Sequence, residues 1–94
     1  MLKGYRILER RFSCASGEID LIAMRRRRIA FIEVKKRANL EAAHASISEN
    51  QRLRIGNAAE TWLSSHPRFQ TCDICFDIVF VLPRSLPAHL MNAL

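Results

Sequence analysis

The chain has 94 residues, of which 49% are apolar and 26% are charged, an ordinary composition for a single globular domain. It has no apolar run of 18 residues, and its N-terminus MLKGYRILERR lacks the apolar segment of a signal peptide, so we expect no transmembrane helix and a cytoplasmic location. Fifteen basic and nine acidic residues give a net charge of +6. Because no segment has the pattern of a membrane-surface helix, this charge favours nucleic acid over a membrane as the partner.

The first part of the sequence predicts three strands. Residues 5–12 are rich in Tyr, Ile and Phe, and residues 18–24 and 29–36 also have strand-like patterns. Only the arginines at 25–28 separate the last two strands, which predicts an antiparallel hairpin. Tight hairpin loops usually contain Gly, Asn or Asp, and this one has none, so we expect a longer or type I loop. The tip is either a solvated loop or a finger that contacts phosphates.

A helix is predicted to begin after Ser48, because Ser48 and Gln51 have the spacing of a capping box. Apolar residues then recur at helical spacing, and the helix should end around Ser64 or Ser65. The preceding segment, residues 38–46, is expected to be a loop with a helical turn.

The last strand is predicted at residues 75–82, CFDIVFVL, whose nearly continuous apolar pattern is typical of a central strand buried on both faces. Pro87 predicts a short C-terminal helix. The resulting order is β-β-β-α-β, which indicates one α/β domain over residues 1–94 with a mixed sheet and a crossover connection.

The cysteines allow two interpretations. Cys14, Cys72 and Cys75 form an odd set in a chain without a secretion signal, which favours reduced thiols. Cys72 and Cys75 have C-x-x-C spacing, and Cys14 and His66 are conceivable further zinc ligands. A second tight pair of ligands is missing, so we favour small side chains at the start of a strand and expect no zinc.

The strand at 29–36 carries charged residues next to apolar ones. Glu33 and Lys35 are two residues apart and therefore share a face, and Asp20 lies across the predicted hairpin. Two carboxylates within about 4–6 Å repel unless a cation lies between them. Mg²⁺ prefers such oxygen ligands, to which the Val34 carbonyl could add, and would promote phosphodiester hydrolysis with Lys35 orienting water or stabilising charge. The alternative is an ordinary cross-strand salt bridge.

Several motifs resemble the YraN family, over nearly the whole chain. They are GYRIL at 4–8, GEIDLIA at 17–23, FIEVKKR at 31–37, the Ser-capped basic helix, CFDIVFVL at 75–82 and the ending LPAHLMNAL. This family is similar in fold to archaeal Holliday-junction resolvases, in the PD-(D/E)xK restriction-endonuclease-like group. The resemblance implies that Asp20 binds a metal, Mg²⁺ or Mn²⁺, and that Glu33 and Lys35 form the E-x-K pair. It also implies a supporting role for Glu18 and a loose match of Gln51 to a basic or amide position of the family.

Two features depart from the family pattern. Family members begin with an additional helix before the GYRIL strand, whereas this sequence starts at MLKGY, in the last turn of that helix. We therefore expect exposed apolar sheet surface and the loss of one acidic ligand, and a homodimer is one way to cover that surface. The hairpin tip also has arginines where the family has Asp-Gly.

The expected function is metal-dependent hydrolysis of phosphodiesters in structured or branched DNA. The alternatives are a non-catalytic nucleic-acid-binding module that retains the nuclease fold, and an interaction protein without a role in nucleic-acid binding. The residues predicted to contact nucleic acid are Arg25, Arg26, Arg27, Arg28, Lys36, Arg37, Arg52 and Arg54.

Overall fold

The computed structural model describes residues 4–36, 48–81, 83 and 88–90. They form a five-stranded mixed sheet with one α-helix packed on one face. In chain order the elements are β1 (Arg6–Cys14), β2 (Gly17–Arg25), β3 (Arg28–Lys36), α1 (Glu49–Ser64), a 3₁₀ turn (Pro67–Phe69), β4 (Asp73–Val81) and β5 (Ala88–Leu90). The predicted β-β-β-α-β order and the mixed α/β class are confirmed.

The strands lie in the sheet in their chain order. β1, β2 and β3 form an antiparallel meander, β4 joins β3 in parallel, and β5 returns antiparallel to β4. Since parallel neighbours cannot be joined by a tight turn, the chain crosses over between β3 and β4, and α1 lies in that crossover. The central strand β3 therefore has an antiparallel partner on one side and a parallel partner on the other.

Each face of the sheet has its own apolar core. On one face, the helix residues Ile55, Ala58, Ala59 and Trp62 pack against Ile19, Ile22, Ile29 and Phe31 of the sheet. The ring of Trp62 meets that of Phe31 edge-on, with the centroids 5.9 Å apart. On the other face, Leu21, Ala23, Ala30, Ile32, Cys75 and Val79 form a second cluster. β3 and β4 are thus buried on both faces, as the continuous apolar pattern of β4 predicted.

Helix α1 begins and ends close to the predicted positions. The Ser48 hydroxyl accepts a hydrogen bond from the main-chain N–H of Gln51 at 3.1 Å, which is the capping contact expected from the sequence. The helix ends at Ser64, and Ser65 caps its C-terminus. None of the helices in the described ranges is long and apolar enough to cross a membrane.

Two local predictions are wrong. The β2–β3 hairpin has a tight two-residue loop, because Arg25 pairs with Arg28 and leaves only Arg26 and Arg27 between them. Arg26 has a φ of 57°, a conformation that Gly or Asn would adopt at lower cost. In the tail, residues 88–90 form strand β5 rather than a helix. The rest of the predicted C-terminal helix and the predicted loop at 38–46 lie outside the described residues.

Exposed apolar surface is found in a groove of about 360 Å³ beside α1. Leu53 of α1 and Ile74 of β4, both lining it, are 62% and 44% exposed and are the exposed large apolar residues of the described chain. The thiols of Cys14, Cys72 and Cys75 are not paired in disulfides. Cys75 is buried in the second core, and this burial, together with its hydrogen bond and proximity to Asp77, raises its pKa to about 12.

Candidate active site

The candidate site lies where β2 separates from β3. The paired part of the hairpin runs from the tip to Leu21, which faces Ile32, and Asp20 is the next residue of β2. In β1 the position across from Asp20 is Arg11, which has a φ of 55°. Ile19 and Ile22 both pack against α1 although an odd spacing normally places residues on opposite faces, so β2 is irregular at Asp20.

Because β2 and β3 separate there, the Asp20 side chain, rather than the main chain of β2, accepts a hydrogen bond from β3. Its Oδ2 accepts a hydrogen bond from the main-chain N–H of Val34 at 2.9 Å. This bond holds the carboxylate of Asp20 beside β3. The carboxyl of Glu33, the residue before Val34, lies within interaction distance of Asp20 and of the Gln51 amide at the start of α1.

The second carboxyl group is destabilised in its charged form. Burial, followed by hydrogen bonding with and repulsion from Asp20, raises the pKa of Glu33 to about 7. Lys35 opposes this effect, with its Nζ 3.7 Å from Oε1 of Glu33, and both side chains are nearly buried at 11% and 13% exposure. An ordinary salt bridge would leave the Glu33 pKa at or below its usual value. Burial and the neighbouring Asp20 together therefore outweigh the effect of Lys35 on the Glu33 pKa.

The carboxyl groups open into a cleft of about 320 Å³ between the sheet and the start of α1. It is lined by Glu18, Asp20 and Glu33 from the sheet and by Ser48, Asn50, Gln51, Arg54 and Ile55 from the helix side. Gly17 determines how close these walls lie, since a Cβ atom there would be 2.8 Å from the main-chain oxygen of Arg54. The missing side chain lets the second turn of α1 rest against β2.

The donor set of this cleft suits a hard cation. Nowhere in residues 4–36, 48–81, 83 and 88–90 do three or more His, Cys, Asp or Glu side chains form a metal-binding cluster. Asp20 and Glu33 thus supply two carboxylates, and the Val34 carbonyl stays a predicted third oxygen. Mg²⁺ keeps several water ligands and is commonly bound by one or two carboxylates, so these residues fit it. A cation between them would also remove the repulsion that raises the pKa of Glu33.

The structure separates the predicted basic residues into different places. Arg54 lines the carboxylate cleft, whereas Arg52, two residues away on the helix, lies outside it and pairs with Glu49 at 3.9 Å. Lys36 is exposed at the end of β3, and Arg37 lies outside the described residues. The four hairpin arginines (Arg25, Arg26, Arg27 and Arg28) line a second cleft at the other end of β3.

Some residues at these sites were not predicted from the sequence. Ser48 and Asn50 line the carboxylate cleft, and the capping box was the signal that could have placed them there, since it fixes which residues open the helix. On the opposite face, Asp77 is fully buried and its Oδ2 lies 2.8 Å from Nε2 of His89. A single carboxylate within the apolar run CFDIVFVL was the available signal for this contact.

The fold and the site define a mixed α/β protein with paired carboxyl groups and a lysine at the point where its central hairpin diverges. The chain belongs to the family described as "Uncharacterised protein family UPF0102", the YraN family, whose model matches residues 1–81. The expected family relationship is therefore confirmed.

Three relatives, each named UPF0102 protein, are similar to nearly the whole chain. The protein of Methylorubrum extorquens (strain PA1) is 54% identical over 93 residues, which are 99% of this chain and 73% of the relative. That of Nitrobacter winogradskyi is 48% identical over 91 residues, 97% of this chain and 77% of the relative. That of Bradyrhizobium sp. (strain ORS 278) is 50% identical over 91 residues, 97% of this chain and 64% of the relative.

Proposed function

We propose that this protein is a metal-dependent endonuclease that hydrolyses phosphodiester bonds in structured or branched DNA, with Mg²⁺ or Mn²⁺ as cofactor, in the cytoplasm. The observation that supports this most directly is the pair of carboxyl groups on Asp20 and Glu33, which face one cleft and lie within interaction distance of each other. Paired carboxylates with a lysine beside them provide the ligands and the positive charge that phosphodiester hydrolysis requires.

Each residue has a role that follows from its position. Asp20 and Glu33 would hold the metal, which would supply positive charge to neutralise the phosphate and lower the pKa of a water molecule. Lys35 lies 3.7 Å from Glu33 and stabilises the negative charge that develops on the phosphate oxygens. Arg54, on the helix wall of the cleft, binds a phosphate oxygen and holds the DNA in register.

The reaction is a hydrolysis with water as the only co-substrate. The water oxygen forms a bond to phosphorus, and the bond from phosphorus to one sugar oxygen breaks. The departing sugar oxygen takes up a proton from the solvent. The attacking water molecule releases a proton to the solvent. The products are a phosphate monoester end and a free hydroxyl end.

A non-catalytic nucleic-acid-binding module is the alternative. It is favoured by the small donor set, since no group of three or more His, Cys, Asp or Glu side chains in the described residues is placed to hold a metal ion. Such a module would use the same basic residues and would bind DNA with strong salt dependence.

A cleavage assay distinguishes the two functions. The substrates are end-labelled four-way junction, flap, single-stranded and duplex DNA with Mg²⁺ or Mn²⁺, and the variants are Asp20→Asn, Glu33→Gln and Glu60→Gln. Glu60 is exposed on α1, away from the cleft, so Glu60→Gln is a matched control for the change at Glu33. We expect cleavage by the native chain and by Glu60→Gln only. Equal cleavage by Asp20→Asn indicates a contaminant, and salt-sensitive binding without any cleavage supports the binding module.

A further inference from the structure

The tip of the β2–β3 hairpin forms a second, strongly basic cleft. It has a volume of about 490 Å³ and is lined by Tyr5, Arg25, Arg26, Arg27, Arg28 and Asp73. Among the described residues, no carboxylate forms an ion pair with any of these four arginines. Four adjacent guanidinium groups repel one another, so the tip is stabilised when an anion enters this cleft.

Part of this basic cleft is held in place before any ligand binds. The guanidinium carbon of Arg25 lies over the ring of Tyr5, 6.0 Å from its centroid. Gly4 leaves room for the same side chain, because a Cβ atom on Gly4 would be 3.2 Å from Nε of Arg25. The loop also keeps Arg26 at a φ of 57°, and such strained residues are concentrated at ligand-binding sites. The Arg25 side chain therefore forms a partly ordered wall of the cleft.

The basic cleft and the carboxylate cleft lie at opposite ends and on opposite faces of the sheet. Tyr5 packs on the second core, and Asp73 is on that face because it is two residues from Cys75 in β4. Glu33 is two residues from Phe31 and therefore lies on the α1 face. Along β3, five residues from Arg28 to Glu33 correspond to about 17 Å at ~3.3 Å per residue.

We infer that the basic cleft binds the backbone of the same nucleic-acid molecule that enters the carboxylate cleft, and that a single-stranded stretch of at least about five nucleotides joins the two. This inference rests on the proposed function. Duplex DNA has a persistence length of about 150 base pairs and cannot turn from one face of the sheet to the other over such a distance. A flexible single strand can. The ~17 Å along β3 is a lower limit for its path, because the strand must also pass from one face to the other, and at about 3.4 Å per nucleotide this corresponds to at least about five nucleotides.

The test measures how affinity depends on the length of a single-stranded oligodeoxythymidylate of 3–12 nucleotides. Fluorescence anisotropy is recorded with the full chain carrying Lys35→Ala, with Mg²⁺, so that the substrate is not cut while both carboxylates of the metal site are kept. We expect affinity to rise at least tenfold once the length passes a threshold of about six nucleotides or more. Arg26→Asn combined with Arg27→Gln should remove this rise and lower the logarithmic salt slope by about 1.4, the value for two lost contacts to single-stranded phosphates.

The matched control is Arg10→Gln combined with Arg68→Gln, which removes the same charge at exposed positions outside both clefts. It should keep the length-dependent rise. The inference is overturned if this control and the hairpin-tip variant (Arg26→Asn with Arg27→Gln) lose affinity equally. It is also overturned if the hairpin-tip variant weakens binding of blunt duplex as much as binding of single strands. A third contrary result is binding of phosphatidylserine vesicles by the hairpin tip together with no length dependence for DNA. A length-dependent rise without cleavage of any substrate by the native chain contradicts only the nuclease, and cleavage without that rise contradicts only this inference.

Discussion

Replacing Glu33 by glutamine should stabilise the metal-free protein at alkaline pH. The folded-state pKa of Glu33 is about 7, against an ordinary value of 4.5, because of burial and the neighbouring Asp20. The folded state therefore binds the Glu33 proton more tightly than the unfolded state does. This contribution to stability is complete below pH 4.5 and is lost as the pH rises through about 7. Glutamine resembles the protonated carboxyl group and does not titrate, so the variant retains the contribution at every pH.

The expected size follows from the same two pKa values. The difference between a pKa of 4.5 and one of about 7 corresponds to at most about 3.4 kcal/mol, at 1.36 kcal/mol per pKa unit. Because the cleft is open to water, we expect about 1–3 kcal/mol at pH 8. Mg²⁺ should stabilise the native chain at that pH but leave the variant nearly unchanged, because the variant has lost one of the two carboxylates.

Urea denaturation at pH 5, 6, 7 and 8 in EDTA, repeated with Mg²⁺, measures this effect. The native chain should lose stability relative to Glu33→Gln as the pH rises, and the Glu60→Gln control should follow the native chain. Parallel pH profiles of the native chain and Glu33→Gln would refute the raised pKa of Glu33. A pH effect without any effect of Mg²⁺ would keep the raised pKa but refute the metal site.

Three further predictions concern α1 and its contacts. Gly17→Ala should destabilise the fold by about 1–3 kcal/mol, because its Cβ atom would be 2.8 Å from the main-chain oxygen of Arg54. Gly56→Ala should stabilise the fold by about 0.5–1 kcal/mol, because a Cβ atom there would contact no other part of the protein within 4 Å. Urea denaturation measures both changes. Arg54→Gln should lower the salt slope of duplex binding by about 0.9, whereas Arg52→Gln, outside the cleft, should leave it unchanged in an anisotropy titration. Trp62→Ala should cost about 3–5 kcal/mol in a denaturation experiment, since this side chain is 1% exposed in the core.

The sequence was sufficient to predict that Asp20 would lie near Glu33, with Lys35 beside Glu33. The strand patterns set the limits of the hairpin to within one residue, and the period of two then placed Glu33 and Lys35 on one face. The hydrogen bond from Val34 to Asp20 could not be predicted in this way. It depends on the irregularity at Arg11 and Asp20, and a positive φ at an arginine has no sequence signal.

The two wrong local predictions have a common physical cause, since both relied on a local preference that a larger interaction overrides. The preference for Gly or Asn at a positive φ amounts to about 1–2 kcal/mol, less than a hairpin gains from keeping its strands in register. Arg26 is accordingly found in such a conformation. In the tail, Pro87 favoured a helix start, but the free edge of β4 offers hydrogen bonds to an extended partner, and residues 88–90 pair with it.

The difference between Arg52 and Arg54 was available from the sequence but was not used. Two residues along an α-helix are about 200° apart around its axis, so these two arginines cannot face the same cleft. Ile55 and Trp62 define the buried side of α1, and Arg54 lies next to Ile55 at the edge of that side. Helical periodicity could therefore have identified Arg54 as the cleft residue and Arg52 as the matched control.

The opposite charges of the two clefts give them different requirements for a cation. The carboxylate cleft holds Asp20 and Glu33 and repels phosphate until a divalent cation compensates them, whereas the basic cleft attracts phosphate without any cation. In EDTA, nucleic acid should therefore bind through the hairpin tip, so that Arg26→Asn with Arg27→Gln abolishes most of the binding. With Mg²⁺ the carboxylate cleft also binds, and the same variant should retain part of its affinity. If the variant lost the same fraction of affinity in both conditions, the two clefts would not act separately.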